Sequence, residues 1–291
     1  MSVLCLIANP AEPALDAALV NAVHREVGGE VNVLTQGIAV EFVKPHLVNP
    51  DVAVRALCAG RPIDVALVPL ANRRKRLLVA DMDSTMIEQE CIDELADAVG
   101  ARAEVAEITR RAMNGELDFE QALRRRVKLL KGLTRARIDE IRRERITYAP
   151  GGRALVQTMK TYGAYTCLVS GGFTIFAEPI GRRIGFDESM ANVLEFDGEA
   201  LAGTVADPIL GREAKLSRLL TLSANHDIPL PQTLAVGDGA NDLDMIKAAG
   251  LGVAMHAKPI VAQQAQVRID HADLTALLYL QGYADEEIVR I

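Results

Sequence analysis

The sequence predicts an α/β protein with a parallel-sheet core, a helical domain inserted into that core, and an N-terminal α+β domain. Three observations support this fold class. Residues 1–72 alternate in the order β-α-β-β-α-β, which is the split βαβ arrangement. Residues 87–147 show helical periodicity divided by glycines, with almost no strand signal. From residue 150 onward strands alternate with helices, as expected for a parallel sheet covered on both faces.

The N-terminal elements follow one another with short connections. The apolar run VLCLIA predicts the first strand, and PALDAALVNAVHREVG has the periodicity of a helix. The stretch VNVLTQGIAVEFV predicts two strands that turn at Gln36 and Gly37. NPDVAVRALCAG predicts a short helix after an Asn-Pro pair, and IDVALVPL predicts the fourth strand. The basic segment ANRRKR, residues 71–76, predicts a linker to the core.

The inserted helical domain is predicted to contain four helices. Gly100, Gly115 and Gly132 end the first three, because glycine tolerates the backbone conformation that closes a helix. Asp118 and Thr134 stand where helix N-caps are expected. The four segments together predict a small helical bundle between two strands of the core.

The core elements lie on both sides of this insertion. LLVA predicts a strand before it, and AYTCLVS, TLAVGDGAND and LGVAM predict strands after it. The stretch SMANVLEFDGEALAGTV predicts a hairpin or paired strands around Asp197 and Gly198. The predicted domain limits are 1–72 for the N-terminal domain, 73–86 with 149–291 for the core, and 87–148 for the helical domain.

Composition excludes several classes of protein. A net charge of −7 and an isoelectric point near 5.4 argue against a general nucleic-acid binder. The apolar start of the chain is short and has no basic flank, so no signal peptide is predicted. No run approaches the roughly 18 apolar residues of a transmembrane helix, so no membrane partner is expected. The four cysteines are far apart in sequence, which favours buried thiols in a reducing cytoplasm over a zinc site.

Polar side chains follow three of the predicted core strands. LLVA is followed by Asp81 and Asp83, CLV by Ser170 and two glycines, and LAV by the segment GDGAND, residues 237–242. Each motif alone is weak, since pairs of carboxylates are common on protein surfaces. Parallel strands deliver their carboxyl ends to one edge of a sheet, where ligands bind. The convergence of the three motifs therefore predicts a functional site.

The carboxylates at this edge predict a metal site. Asp81, Asp83 and Asp238 would repel one another and their pKa values would rise unless a cation balanced them. A hard divalent ion with oxygen ligands fits this set, and Mg²⁺ is the expected ion. Such a site commonly completes its coordination with a phosphate oxygen of the substrate, whose charge the ion withdraws.

The same residues predict a reaction. Asp81, the first residue after the strand, is placed to attack phosphorus and form an aspartyl-phosphate that water then hydrolyses. Asp83 could protonate the leaving alkoxide and then deprotonate the water. The Ser170 hydroxyl and the backbone amides of the two following glycines are candidate phosphate donors. Lys215 is a candidate counter-charge for the phosphate and for Asp81, the alternative being a solvated helix face.

At these positions the sequence resembles a known family. DMDST, SGG, Lys215 and GDGAND are similar to the four motifs of the haloacid dehalogenase (HAD) superfamily of phosphohydrolases. DMDSTMIEQECIDELA and ITRRAMNGELDFEQALRRRVKLLKGL resemble its phosphoserine phosphatase family, and the likeness covers residues 76–283. The resemblance implies a Rossmann-like parallel-sheet HAD core with an inserted four-helix-bundle cap. It also implies Mg²⁺-dependent hydrolysis of O-phospho-L-serine to L-serine and phosphate, the last step of serine biosynthesis.

The resemblance also implies a role for each matching residue. The implied catalytic residues are Asp81, Asp83, Ser170 and Lys215. The implied metal ligands are Asp81, Asp83 through its main-chain carbonyl, and Asp238, with Asp242 as a further carboxylate that orients the metal site. The implied phosphate contacts are Ser170, Gly171, Gly172, Lys215 and Asn241. In the cap, Glu90 would receive the substrate ammonium, Arg126 its carboxylate, and Met113 and Phe119 would form apolar lid contacts.

Some alternatives stay open from the sequence. The N-terminal pattern resembles ACT-type small-molecule-binding domains, which leaves open an amino-acid effector, homodimer formation or a purely structural appendage. A HAD phosphatase or phosphotransferase acting on another small phosphomonoester is the rival function within the class. A non-enzymatic amino-acid sensor is the rival outside it. Intact Asp81 and Asp83 weigh against the sensor, and Glu90 with Arg126 favours a zwitterionic substrate.

Overall fold

The N-terminal elements form an antiparallel sheet with helices on one face. The structure is a computed structural model that describes residues 1–113 and 116–290, apart from the side chain of Met113. The elements are β1 (Ser2–Ala8), α1 (Ala17–Val27), β2 (Glu30–Thr35), β3 (Ala39–Val43), α2 (Pro50–Leu57) and β4 (Ile63–Pro69). The strand order is β2-β3-β1-β4, which confirms the predicted split βαβ arrangement.

Side chains of β1 alternate between two apolar layers, because successive residues of a strand point to opposite faces. Leu4 and Leu6 pack with Val23 of α1 and Val54 of α2. On the opposite face, the alternate β1 residues join the large apolar cluster that includes the catalytic core. The N-terminal sheet is therefore buried on both faces.

A helical cap follows the first core strand. The elements are β5 (Leu77–Ala80), α3 (Cys91–Ala98), α4 (Arg102–Met113), α5 (Phe119–Leu129) and α6 (Arg135–Arg145). Asp118 accepts a hydrogen bond from the Gln121 amide, and Thr134 accepts one from the Arg137 amide, so both predicted N-caps are confirmed. Buried Leu95, Leu123 and Ile138 help to hold the helices together.

The remaining elements complete the parallel core. They are α7 (Gly152–Thr161), β6 (Tyr165–Phe173), α8 (Thr174–Ile184), β7 (Glu188–Asn192), β8 (Leu194–Asp197), β9 (Ala200–Val205), α9 (Arg212–Asn225), β10 (Thr233–Gly237), α10 (Leu243–Ala248), β11 (Leu251–Met255), α11 (Pro259–Ala262), β12 (Val267–Ile269) and α12 (Ala276–Leu280). The order of the parallel strands is β12-β11-β10-β5-β6-β7. This confirms the predicted Rossmann-like core. No helix in the described ranges is both long and apolar enough to span a membrane.

The sheet is covered on both faces, as its continuous apolar strands require. All of β5 is buried. Leu78 and Ala80 pack in the cluster that holds Phe176 of α8, while Leu77 and Val79 pack in the cluster that holds Leu219 of α9. The strand therefore fixes the position of the residue that follows it.

One predicted hairpin differs from the structure at its start. β8 and β9 do pair around Asp197 and Gly198, with Asp197 opposite Ala200. The preceding segment Glu188–Asn192 instead forms β7, which pairs in parallel with β6 at the edge of the main sheet. Its polar, partly exposed side chains lack the apolar run expected of a core strand, because an edge strand is less enclosed.

The segment 71–76 is docked rather than free. Arg73 forms an ion pair with Glu41 of β3 and donates to the carbonyl oxygen of Leu280 at 2.9 Å. Lys75 is buried and donates to the carbonyl oxygen of Pro231 at 2.8 Å. These contacts tie the N-terminal sheet to the core, whereas the sequence predicted a plain linker.

The connections between core and cap also pair with each other. Ile87 and Tyr148 form an isolated antiparallel bridge. The Ala149 amide donates to the Met86 carbonyl oxygen at 3.0 Å, and the Glu88 amide donates to the Thr147 carbonyl oxygen at 3.1 Å. We call residues 86–88 with 147–149 the hinge pair.

Candidate active site

Asp81 lies at the carboxyl end of β5, and its side chain contacts Lys215 and the Met82 amide through the same carboxylate oxygen. Its amide donates to the Val236 carbonyl oxygen of the neighbouring strand at 3.0 Å. Its Oδ1 lies 2.6 Å from Nζ of Lys215 and accepts the Met82 amide at 2.8 Å. The side chain is buried, so its position is fixed by the strand and by a single buried cation.

Lys215 is buried between two carboxylates and is not on a solvated helix face. Its Nζ lies 2.6 Å from both Asp81 Oδ1 and Asp242 Oδ1. Burial alone would lower the pKa of Lys215, but the two carboxylates outweigh it and raise that pKa above its ordinary value. The ammonium therefore stays charged and orients both carboxylates.

The side chains of Asp81, Asp238 and Asp242 form an acidic cluster. Within the described residues, their ligand oxygens lie within 4.8 Å of one another. Burial raises the pKa of Asp81 well above its usual range, Asp242 adds to the rise, and Lys215 opposes it. Burial likewise raises the pKa of Asp238. The cluster thus holds more negative charge than Lys215 balances, and its oxygen donors fit a hard divalent cation.

The last residue of β10, Gly237, has to be glycine because the side chain of Asp242 packs closely against it. A Cβ at Gly237 would lie 2.3 Å from Cγ of Asp242, closer than atoms can approach. We expect Gly237→Ala to displace Asp242 and, through it, Lys215. Activity should fall about 100-fold, the size expected for a misplacement near 1 Å, and stability by about 2 kcal/mol. Phosphate-release kinetics and chemical denaturation measure the two effects.

A matched control for that change is Gly198→Ala, at the tip of the β8–β9 hairpin. A Cβ there meets no atom within 4 Å, although the backbone φ of 58° is unfavourable for alanine. Its activity should stay near that of the unchanged chain. Equal losses in both variants would contradict the packing argument.

Asp83 faces the segment 170–172 and the first cap helix. Its Oδ1 accepts the Cys91 amide at 2.8 Å, and its Oδ2 accepts the Ser170 hydroxyl at 3.0 Å. The Gly172 amide donates to Ser170 Oγ at 2.8 Å. Ser170 and both glycines belong to β6, where the pairing with β7 becomes irregular, and α8 begins just after them at Thr174. The structure therefore brings two of the three motifs into direct contact.

Phe119 and Asn241 lie beside the glycines of the site. The first residue of α5, Phe119, has its ring 3.5 Å from where a Cβ would stand on Gly171 and 3.4 Å from the same position on Gly211. The half-buried Asn241 folds back over Gly239, with Oδ1 2.3 Å from its Cβ position. The cap thus touches the segment 170–172 directly.

The predicted cap residues occupy neighbouring positions. The Ser84 hydroxyl donates to Glu90 Oε1 at 3.0 Å. Arg126 is half-buried, while its neighbours Arg124 and Arg125 are exposed, so one arginine of the row points inward. Its guanidinium donates to the Thr109 hydroxyl at 3.4 Å. Partial burial lowers the pKa of Arg126, whereas Asp93 and Glu90 raise it. The Met113 side chain lies outside the described residues.

Sequence reasoning missed two contacts of Asp238. The Thr85 hydroxyl donates to its Oδ1 at 3.4 Å, and Lys258 Nζ lies 3.6 Å from its Oδ2. The signal for Lys258 was present, because it follows β11 at the same edge of the sheet. For Thr85 no pattern in the sequence distinguishes it from an ordinary loop residue.

A parallel α/β core, a helical cap and an acidic cluster at the strand ends define a hydrolase of the HAD type. The family model described as haloacid dehalogenase-like hydrolase matches residues 78–247. The chain belongs to this family.

Two relatives similar to this chain are named phosphoserine phosphatase. A phosphoserine phosphatase of Polaromonas sp. is 45% identical over 226 residues, which cover 76% of this chain and 96% of that protein. A phosphoserine phosphatase of Streptomyces coelicolor is 42% identical over 250 residues, 86% of this chain. The chain spans 61% of the length of that longer relative.

Solved structures show the same likeness. A probable phosphoserine phosphatase from Vibrio cholerae matches with a TM-score of 0.80 and 32% identity, covering 98% of this chain and 88% of that one. A structure of a phospho-aspartyl intermediate analogue of phosphoserine phosphatase matches with a TM-score of 0.65 and 40% identity. It covers 70% of this chain and 98% of that one.

Proposed function

We propose that the chain is a Mg²⁺-dependent phosphoserine phosphatase, which hydrolyses O-phospho-L-serine to L-serine and phosphate. The observation that carries the proposal is the geometry of Asp81, which Lys215 fixes beside Asp238 and Asp242 at the end of a buried strand. The names of the relatives support the substrate, and the phospho-aspartyl analogue of a similar protein supports the covalent route.

The reaction proceeds in two displacements. An oxygen of Asp81 bonds to phosphorus as the bond between phosphorus and the serine oxygen breaks, and Asp83 gives its proton to that oxygen. Water then attacks the phosphorus of the aspartyl-phosphate and loses a proton to Asp83. Phosphate leaves, and Asp81 is again a carboxylate. Because both contacts of Asp81 described above use Oδ1, we assign attack to Oδ2.

The phosphoryl group is held by groups of this chain. The Ser170 hydroxyl exchanges its bond with Asp83 for one to a phosphate oxygen, and the amides of Gly171 and Gly172 donate beside it. Lys215 supplies positive charge, and Asn241 offers its amide from the loop after β10. A bound Mg²⁺ would offset the charge of the phosphate oxygens. Its ligands would be the side chains of Asp81 and Asp238 and the main-chain carbonyl of Asp83, with Asp242 as the further carboxylate that orients the site through Lys215.

The cap selects the substrate. Glu90 receives the ammonium group, and Arg126 pairs with the carboxylate through parallel donors. Phe119 closes over the phosphate-binding glycines. Glu90 and Arg126 face the same region of the site, since the Glu90 carboxylate acts to raise the pKa of Arg126.

Arg126→Ala tests this selection. We expect KM for O-phosphoserine to rise by about 10- to 100-fold, the loss that follows removal of a charge-assisted hydrogen bond. Phosphoethanolamine lacks the carboxylate and should be hydrolysed more slowly than phosphoserine. The rate of its hydrolysis should change little in Arg126→Ala. Steady-state phosphate release with both substrates measures the difference.

Arg125→Ala serves as the control, because it removes the same charge from an exposed neighbour. Its KM for phosphoserine should be unchanged. If Arg126→Ala weakened both substrates equally, the residue would not read the carboxylate.

Metal removal tests the cofactor. After treatment with EDTA, phosphate release should fall below detection, and added Mg²⁺ should restore it, because Asp81, Asp238 and Asp242 carry uncompensated negative charge. A screen over phosphoserine, phosphothreonine and sugar phosphates tests the substrate in the same assay. Faster turnover of a sugar phosphate than of phosphoserine would overturn the substrate assignment. Full activity in EDTA would overturn the proposed Mg²⁺ dependence.

We propose three domains: residues 1–72, the cap at 87–148, and the core at 73–86 with 149–291. We further propose that residues 1–72 form an ACT-like domain that binds an amino acid or joins two chains. Its antiparallel sheet with two helices supports the likeness. Each of the four cysteines is buried and unpaired, which supports a cytoplasmic setting. Sedimentation of the full chain with and without L-serine tests the role of the N-terminal part.

A further inference from the structure

A cavity of about 480 Å³ lies beside the hinge pair. Met86 and Tyr148 of the hinge pair line it, together with Pro10 of the N-terminal part. Further walls come from the start of α7 and the end of α8. None of the residues of the acidic cluster lines it, and its volume is in the range of small-molecule sites. We call it the hinge cavity.

Positive charge is concentrated at the hinge cavity. Among its described lining residues are Arg153, Arg183 and Arg290, against the single carboxylate of Asp273. Arg290 is paired with Asp285. Arg153 and Arg183 are exposed and form no hydrogen bond or ion pair with any residue in the described ranges. Two unpaired guanidinium groups facing one cavity are notable in a chain of net charge −7, and they favour an anion.

The start of α7 adds to this preference. The helix has 10 residues, and its N-cap, Gly151, provides no side-chain hydrogen bond. Gly151 and Gly152 both line the cavity, so the amino end of the helix faces it. The partial positive charge at a helix amino end favours a negative group nearby.

The rest of the wall is apolar. Its accessible apolar surface comes from Tyr148, which is 44% exposed, and from the partly exposed Pro10 and Ala154. A small inorganic ion would leave this surface uncovered. An organic anion with an aromatic or branched apolar part would use both kinds of wall.

The cavity lies where the two connections between the core and the cap pair with each other. Met86 and Ala149 both line it, and the hydrogen bond between them belongs to the hinge pair. Met86 also contacts the segment that follows β5, because its amide donates to the Met82 carbonyl oxygen at 2.9 Å. A molecule in the cavity would therefore contact both segments that connect the core to the cap.

We propose that the hinge cavity is a second binding site, for a small aromatic or branched organic carboxylate, whose occupation changes the rate of cap opening. The carboxylate pairs with Arg153 and Arg183 near the start of α7. The apolar part lies against Tyr148, Pro10 and Ala154. The site is separate from the substrate site and goes beyond the proposed phosphatase activity.

The binding test uses 4-fluorobenzoate as the probe, followed by ¹⁹F line broadening on the full chain. Saturable broadening is expected, and the double variant Arg153→Gln with Arg183→Gln should weaken it by at least about tenfold, as when a charge-assisted hydrogen bond is lost. The control is Arg125→Gln with Arg182→Gln, which removes the same charge from exposed arginines outside the cavity. Binding that is absent, or equal in the two double variants, would overturn the site.

A kinetic readout separates this site from the substrate site. At saturating phosphomonoester, the probe should change kcat in the unchanged chain, with a half-effect at the concentration that half-saturates the broadening. The Arg153/Arg183 variant should lose this effect while keeping its own kcat. An increase in KM alone, persisting in that variant, would show competition at the substrate site and overturn the link to the hinge. Because the broadening needs no turnover, it is informative even if the proposed substrate is wrong.

Discussion

Asp81→Asn is expected to abolish phosphate release, with kcat lower by on the order of 10⁴-fold or more, as when a covalent nucleophile is removed. The amide is nearly the same size as the carboxylate and can still accept from Lys215 and Met82, so the loop should keep its position. What disappears is the attacking oxygen anion. The variant should remain folded, because the buried Lys215 keeps Asp242 as its partner.

The experiment combines kinetics with detection of the intermediate. Acid-quenched samples of the unchanged chain should carry a phosphoryl group on the peptide that contains Asp81, and the variant should not. Asp244→Asn is the control, since it makes the same chemical change at a carboxylate that pairs with Arg212 near the surface. More than about a tenth of the activity left in Asp81→Asn would show that another group attacks phosphorus.

Asp83→Asn should lower kcat by roughly 10²- to 10⁴-fold, the contribution of general acid–base catalysis. An amide can neither donate the acid proton nor take one from water. The structure predicts a second consequence, because Asp83 accepts from both the Cys91 amide and the Ser170 hydroxyl. An asparagine oxygen can replace only one of these acceptors, so the loop and the start of α3 should be less firmly joined.

Leaving groups of different acidity separate these effects. The serine alkoxide needs a proton as it departs, whereas p-nitrophenolate does not. In Asp83→Asn, formation of the aspartyl-phosphate should therefore slow far more with phosphoserine than with p-nitrophenyl phosphate. Rapid-quench measurement of the first turnover provides this comparison. An equal slowing with both substrates would mean that Asp83 acts only by positioning the loop.

The catalytic edge could be predicted because its signals are local. The apolar run of β5 indicates a buried parallel strand, and the polar residues that follow each strand must meet at one edge. Gly100 and Gly132, with the N-cap residues Asp118 and Thr134, marked the cap helices for the same reason, since each acts within one turn. The predicted helix end at Gly115 lies outside the described residues. Of the predicted carboxylate cluster, Asp81 and Asp238 are brought together in this way with Asp242, whereas the Asp83 side chain contacts the Cys91 amide and the Ser170 hydroxyl instead.

Other features depend on contacts between distant parts of the chain. The burial of Lys215 between Asp81 and Asp242 could not be read from its helix, whose sequence is equally compatible with an exposed lysine. The docking of Arg73 on Glu41 and Leu280 is likewise a long-range contact. The polar strand β7 was missed because edge strands carry weak apolar patterns.

The side chain of Asp64 in β4 joins the N-terminal sheet to the core. Its carboxylate accepts the amides of Asp270, His271 and Ala272, at 2.8, 3.1 and 2.8 Å. The carbonyl of Ala272 in turn contacts Nε2 of His256 at 3.0 Å. The turn after β12 therefore takes its hydrogen-bond acceptor from a different sheet.

This arrangement limits how freely the N-terminal part can be exchanged. A chain shortened to begin at residue 73 would leave the three amides without their acceptor and Arg73 without Glu41. A replacement domain could cover the apolar surface of α12 and still leave that turn unsupported, unless it carried a carboxylate at the same point. The two sheets are thus joined by specific hydrogen bonds, and exchange between relatives would have to preserve Asp64 together with the turn that it serves.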